Sequence, residues 1–122
     1  MKKILRFAVA LTTIGFSVPA LAIGPGVYTV KGVNNKQDGE YTGTLTIVQT
    51  SEDTFKLTWV IGSERYEGFA VGSAEVMAAS FSGQGSQGVA LLAEDDENKG
   101  TYNSMWTVKG GTKIGTEVLT PK

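Results

Sequence analysis

Two short segments of this chain carry residue types whose spacing could do chemistry. The first, residues 83–88, reads Gly-Gln-Gly-Ser-Gln-Gly and matches the G-x-G-x-x-G pattern of phosphate-binding loops. Such a loop needs a helix directly after it, because the N-terminus of that helix holds the phosphate. The next residues, 89–92, read instead as a strand, so we interpret the segment as a flexible hairpin loop.

The second segment is an acidic run at residues 94–97, Glu-Asp-Asp-Glu. A helix–loop–helix calcium site would need oxygen ligands at alternate positions and a glutamate at position twelve. Counted from Asp95, position five is Lys99 and position twelve is Trp106. The pattern does not fit, so we interpret the run as a solvated turn and predict no metal site.

Catalysis lacks its usual side chains in this sequence. There is no histidine and no cysteine, which removes the commonest general base and the commonest metal ligand. No lysine has a motif spacing with a serine that would form a nucleophilic pair. Glu64, Glu67 and Glu117 could converge as paired carboxylates, but no spacing selects them. We therefore predict that the protein is not an enzyme and has no catalytic residue and no cofactor.

Aromatic side chains are the remaining candidates for function. Most aromatic residues of a small domain pack in its core. A sharper hypothesis is that Trp59, Tyr66 and Trp106 line one mouth of the fold and bind an apolar or sugar-like ligand. These three residues are the candidate binding residues.

The elements that must position these residues are strands. Turn residues recur at intervals of about 8–12 positions, which is typical of all-β proteins. The connections are too short for parallel crossovers, so the strands are expected to be antiparallel. An eight-stranded up-and-down barrel is favoured because closure removes both sheet edges, and a two-sheet β-sandwich is the alternative. The predicted strands are residues 26–33, 39–50, 54–61, 65–71, 75–81, 89–94, 101–108 and 112–120.

Alternation along the strands predicts which side chains face inward. Trp59, Tyr66 and Trp106 all belong to predicted inward faces. In the last strand, Ile114 and Val118 are expected inside and Glu117 outside. The facing of strands 75–81 and 89–94 stays open, because both of their faces are apolar. The large inward side chains are expected to fill the barrel, leaving no enclosed cavity for a drug-sized ligand and at most a shallow cleft at one mouth.

The first 22 residues predict export. Basic residues open the chain, an apolar run covers residues 7–18, and Ala-Leu-Ala at 20–22 supplies the small-x-small pattern of a cleavage site. This order is typical of a secretory signal peptide, and the run is too short to span a membrane. We expect cleavage after Ala22, a single domain over residues 23–122, and a periplasmic or secreted protein.

The charge of residues 23–122 excludes some partners. All of the acidic residues lie there, whereas three of the basic ones leave with the leader. A mildly acidic domain without a basic patch is a poor candidate for nucleic acid or anionic lipid. We expect no nucleic-acid partner and no membrane insertion once the leader is removed.

Motifs spread over most of the predicted domain resemble those of one group of proteins. They are Gly26-Val-Tyr28-Thr-Val30-Lys-Gly32-Val-Asn34, Tyr41-Thr-Gly43-Thr-Leu45-Thr-Ile47, Trp59-Val-Ile-Gly62, Tyr66-Glu-Gly68 and, most specifically, Trp106-Thr-Val-Lys-Gly110-Gly111-Thr-Lys-Ile-Gly115-Thr-Glu117. In these motifs the chain resembles small exported proteobacterial proteins labelled fibronectin-binding-like. The resemblance implies binding to another protein.

We therefore predict an exported, non-catalytic binding module whose partner is an extracellular or periplasmic protein, bound through the outer surface or the loops. One alternative is a carrier of a small apolar ligand at the barrel mouth. Another is an inhibitor of a cell-wall hydrolase such as lysozyme, because residues 63–66 faintly resemble the Ser-Gly-x-x-Tyr loop of periplasmic lysozyme inhibitors. A pocket lined by Trp59 and Trp106 would favour the carrier, whereas a filled interior would favour protein binding.

Overall fold

A computed structural model describes residues 23–35 and 38–122 of the protein. They form a closed barrel in which each strand pairs antiparallel with the next and the last pairs with the first. The predicted fold class is thus confirmed, and the two-sheet alternative does not apply. The strands are β1 (Gly26–Val33), β2 (Glu40–Ser51), β3 (Thr54–Ile61), β4 (Glu64–Gly72), β5 (Val76–Gly83), β6 (Ser86–Glu94), β7 (Tyr102–Val108) and β8 (Gly115–Pro121).

Some sequence-based expectations fall outside these ranges. The predicted signal peptide, residues 1–22, and the turn residues 36–37 lie outside the described residues. Within them, no helix is long and apolar enough to cross a membrane.

The glycine-rich segment at 83–88 belongs mostly to strands. Gly83 of β5 pairs with Ser86 of β6, so only Gln84 and Gly85 form the turn. Both turn residues have positive φ, 51° and 76°, as the tight two-residue hairpin turns require. The turn is therefore much shorter than the predicted loop. A strand follows it, as predicted.

One end of the barrel is closed by a packed core. The Tyr28 hydroxyl donates to the Gly24 carbonyl at 2.7 Å and accepts from the Gly24 amide at 3.1 Å. The Tyr102 hydroxyl donates to the Ala74 carbonyl at 2.7 Å, and its ring centroid lies 5.4 Å from that of Tyr28. These bonds attach both rings to the segments that cross this end. The largest buried side chains nearby are Val30, Leu45, Ile47, Phe55, Leu57, Met77, Leu92 and Leu119.

The structure settles the two strands whose facing the sequence left open. Met77 and Ala79 of β5 face inward, as do Ala90 and Leu92 of β6. Leu91, which alternates with them, lies on the outer face. The inward side chains of β6 are thus small towards its start, at Ala90, and large towards its end, at Leu92.

The predicted facing of β8 is wrong. Glu117 is buried, with 7% of its surface exposed, whereas Ile114 and Val118 are each 45% exposed. Pairing with β7 sets the parity, because Trp106 lies opposite Gly115 and Tyr102 lies opposite Leu119. Ile114 also precedes the strand, which begins at Gly115. Register with the neighbouring strands therefore overrides the apolar character of single residues.

Candidate ligand-binding site

A cavity of about 420 Å³ opens at the end of the barrel opposite the Tyr28 and Tyr102 rings. Residues from the β1–β2 connection and the first residues of β4 and β6 border its mouth. Most of its wall is aromatic or aliphatic. The lining residues are Asn34, Asn35, Tyr41, Trp59, Ile61, Glu64, Tyr66, Phe81, Ser86, Ala90, Trp106, Val108 and Glu117.

All three candidate binding residues lie in the wall of this cavity. Trp59 on β3 is buried, with 5% of its surface exposed, and Tyr66 on β4 and Trp106 on β7 are half-buried. Each faces inward, as the alternation predicts. Strand pairing places Trp59 directly opposite Tyr66, so β3 and β4 bring these two rings together.

Phe81 of β5 joins the three rings into one aromatic wall. Its ring centroid lies 5.7 Å from that of Trp59 and 6.3 Å from those of Tyr66 and Trp106. The rings meet edge to face, the arrangement that aromatic pairs prefer. Tyr41 extends the wall, with its ring centroid 6.4 Å from that of Trp106.

Inward glycines make room for these rings. The Trp106 ring lies against Gly115 on the neighbouring strand, and the Phe81 ring lies against Gly88. A Cβ atom at either glycine would collide with the ring. Close approach of this kind is a common reason for glycine inside a strand.

A buried carboxylate stands among the rings. Glu117 Oε2 accepts a hydrogen bond from the Tyr41 hydroxyl at 2.6 Å, and Oε1 accepts one from Trp59 Nε1 at 3.2 Å. The Tyr41 hydroxyl in turn accepts a hydrogen bond from Trp106 Nε1 at 2.9 Å. Both indole N–H groups thus point, directly or through Tyr41, to one carboxyl group.

Burial favours the protonated, neutral form of both the acid and its phenol partner. It raises the pKa of Glu117, and the hydrogen bonds from Tyr41 and Trp59 offset only part of that effect. Burial and the nearby Glu117 charge raise the pKa of Tyr41, so its hydroxyl stays a donor. At the mouth, burial and a 2.7 Å bond to Glu64 raise the pKa of Tyr66 to about 12.

The site retains capacity for further hydrogen bonds. An ionised carboxylate offers about four acceptor positions, and the described residues occupy one at each Glu117 oxygen. Ser104 does not line the cavity, but it lies opposite Glu117 on β7, and its buried hydroxyl has no hydrogen-bond partner among the described residues. Chemically, the arrangement can enclose an apolar body and accept a hydrogen bond or a positive charge from it.

The interior is less filled than the sequence predicts. The cavity opens at one mouth, but it reaches the buried Trp59 and Glu117, so it is deeper than a shallow cleft. The cause lies in β6, whose facing the sequence left open, and in β8, whose inward residues were predicted wrongly. At this end, the inward residues of β6 are the small Ser86, Gly88 and Ala90, and β8 contributes Gly115 beside Glu117.

Glu117 is the site residue whose position was predicted wrongly from the sequence. Of the three carboxylates considered there, Glu64 and Glu117 line the cavity, whereas Glu67 is exposed and does not. A single glutamate in a strand of mixed polarity resembles a solvated surface residue, and the chosen parity placed it outside. The available signal was the neighbouring pattern of Gly115 and Leu119, which share its parity. Only the partners across the barrel, Tyr41 and Trp59, explain how a carboxylate is accommodated there.

Replacing Glu117 by glutamine is expected to change how stability depends on pH. The pKa of Glu117 is raised above its ordinary value of 4.5 in the folded barrel, so the folded state holds this proton more tightly than the unfolded chain. The carboxyl therefore favours folding most below pH 4.5 and loses that stabilisation as pH rises through the folded pKa. Urea unfolding of parent and variant over this range measures the difference.

The stability of the parent relative to Glu117→Gln should fall as pH rises. A difference that rises with pH would contradict the raised pKa. Glu67→Gln is the matched control, because Arg65 lowers the pKa of the exposed Glu67 and its effect should have the opposite sign.

The protein is thus an eight-stranded antiparallel barrel, closed at one end and with an aromatic pocket at the other. A solved structure of EF1p2_mFAP2b bound to DFHBI is similar to this chain, with a TM-score of 0.60 and 13% sequence identity. The match covers 80% of this chain and 93% of that chain. At this identity the likeness concerns the fold. No protein-family model and no curated protein matches the chain.

Proposed function

We propose that this protein binds a small, mainly apolar ligand in the pocket between Trp59, Tyr66 and Trp106. One observation carries the proposal: the barrel has a cavity of about 420 Å³ that opens at one end and is lined mainly by aromatic and aliphatic side chains. Small-molecule sites commonly measure roughly 300–1,000 Å³ and combine apolar walls with a few polar groups. The pocket has that size and composition.

The similar barrel supports this proposal. EF1p2_mFAP2b is solved with DFHBI bound. A related architecture can therefore hold a small molecule. Together with the predicted leader, this favours a non-catalytic carrier or receptor in the periplasm or the external medium.

Titration with N-phenyl-1-naphthylamine, a neutral apolar dye, tests the proposal. The two tryptophans of the chain both line the pocket, so their fluorescence reports on it. We expect saturable quenching at one dye per protein with a Kd on the order of micromolar. Binding that does not saturate, or that leaves tryptophan emission unchanged, would refute the pocket as the ligand site.

A second candidate function, binding another protein, is favoured by the outer surface. An apolar band crosses neighbouring strands on the outside of the barrel, where Phe69 is 71% exposed. Strand register aligns Val71, Ala78, Leu91 and Met105 side by side, and Phe69 and Val89 lie on either side of Ser80 in the adjacent row. Contiguous exposed apolar surface of this kind marks interaction sites. The other members are Val71, Ala78, Val89, Leu91 and Met105.

Leu91→Lys is expected to abolish any protein partnership of this band. A charge at its centre would have to be desolvated on binding. Immobilised parent protein should retain a periplasmic or extracellular protein that the variant loses. Val48→Lys is the control, because Val48 is an exposed valine on β2, outside the band. Equal retention by both variants would exclude the band as the contact surface.

A further inference from the structure

We infer that the ligand of this pocket carries a positively charged amine on an apolar body, with the ammonium group held against Glu117. The inference rests on the proposed function and names the chemical class that the same site would take. It concerns a small organic amine, protonated at neutral pH, of a size that the cavity of about 420 Å³ encloses.

The charges around the cavity are all negative. Of the described residues that line it, the charged ones are Glu64 at the mouth and Glu117 in the interior. The ion pairs among the described residues join Arg65 to Glu67 and Lys99 to Glu94. Neither pocket carboxylate belongs to them, so a cationic ligand would meet two carboxylates with no competing protein cation in the described wall.

The described partners of Glu117 carry no positive charge. Tyr41 and Trp59 each donate one hydrogen bond to it, but both are neutral groups. A buried carboxylate is normally paired with a cation or a metal. Among the described residues, no group of three histidine, cysteine or carboxylate side chains could hold a metal. A ligand ammonium supplies the missing charge and can donate to the remaining lone pairs of both oxygens.

The aromatic wall favours the same ligand class. The faces of tryptophan, tyrosine and phenylalanine rings attract cations, most strongly where water is excluded. Trp59, Tyr66, Phe81 and Trp106 surround the cavity in edge-to-face contact. An anionic ligand would instead face the ring electrons and two carboxylates, so the pocket should reject it.

The test compares three probes with the same bicyclic body and different charges, by isothermal titration calorimetry at neutral pH. The probes are 2-naphthylmethylamine, which is cationic, 2-naphthalenemethanol, which is neutral and donates a hydrogen bond, and 2-naphthoate, which is anionic. We expect the amine to bind at least about tenfold more tightly than the alcohol, and the naphthoate to bind more weakly than either.

Glu117→Gln should bring the affinity for the amine to within about threefold of the affinity for the alcohol, while Glu64→Gln should keep most of the preference. The ranking in the unaltered protein decides the inference by itself if Glu117→Gln does not fold. If the alcohol bound as tightly as the amine or more tightly, the inference of a positively charged ligand would be wrong, but the proposal that the pocket binds a small ligand would not be affected. Binding of none of the three would overturn both.

Discussion

Trp59→Ala should lower the free energy of unfolding by about 3–5 kcal/mol, the range found for truncating large buried rings. The Trp59 side chain is buried and lies between Leu45 and Tyr66 in strand register. Its removal leaves a cavity beside Phe81, whose ring centroid is 5.7 Å away. It also withdraws one of the two described hydrogen-bond donors from Glu117, which is an additional cost for a buried acid.

Equilibrium urea unfolding measures this effect. Val60→Ala is a suitable control, because Val60 is the next residue of β3 and faces outward. It should cost less than about 1 kcal/mol. If Trp59→Ala unfolded within about 1 kcal/mol of the parent protein, Trp59 would not be part of the packed interior.

Ala90→Phe should reduce the affinity for N-phenyl-1-naphthylamine by at least about 100-fold. Ala90 lines the cavity and lies opposite Trp106 in strand register. A phenyl ring at this position would occupy the space that a ligand needs. Because the ring enters existing space, the cost in stability should stay below about 3 kcal/mol, so the variant remains folded and its binding can be measured.

Val89→Phe is the matched control for Ala90→Phe. It introduces the same side chain one residue earlier on β6, where the side chain faces outward. Its affinity for the dye should stay within about twofold of the parent value. Equal losses in both variants would indicate that the dye does not bind in the cavity.

Much of the fold follows from local pattern in the sequence. The β1 and β3 bounds match the predicted ones, because turn residues flank alternating apolar positions on both sides. Trp59, Tyr66 and Trp106 face inward for the same reason. Closure of the barrel could also be predicted, because short connections and the cost of exposed edges leave few other arrangements for eight strands.

The pocket could not be predicted from the local sequence pattern. Its depth depends on Gly88 and Ala90, which lie on a strand with two apolar faces, where alternation is uninformative. The position of Glu117 depends on the pairing of β7 with β8. Its buried carboxyl group is stabilised by hydrogen-bond donors from β2 and β3. Such contacts join residues far apart in the chain, so no spacing in the sequence reveals them.

The most direct test of small-ligand binding in the pocket is a heteronuclear NMR titration of the isotope-labelled protein with N-phenyl-1-naphthylamine. The indole N–H groups of Trp59 and Trp106 each donate a hydrogen bond at the pocket. Both indole signals should shift and saturate at one equivalent, while the backbone amides of Leu91 and Met105 on the outer band stay in place. Shifts confined to the outer band, with both indole signals unchanged, would contradict ligand binding in the pocket.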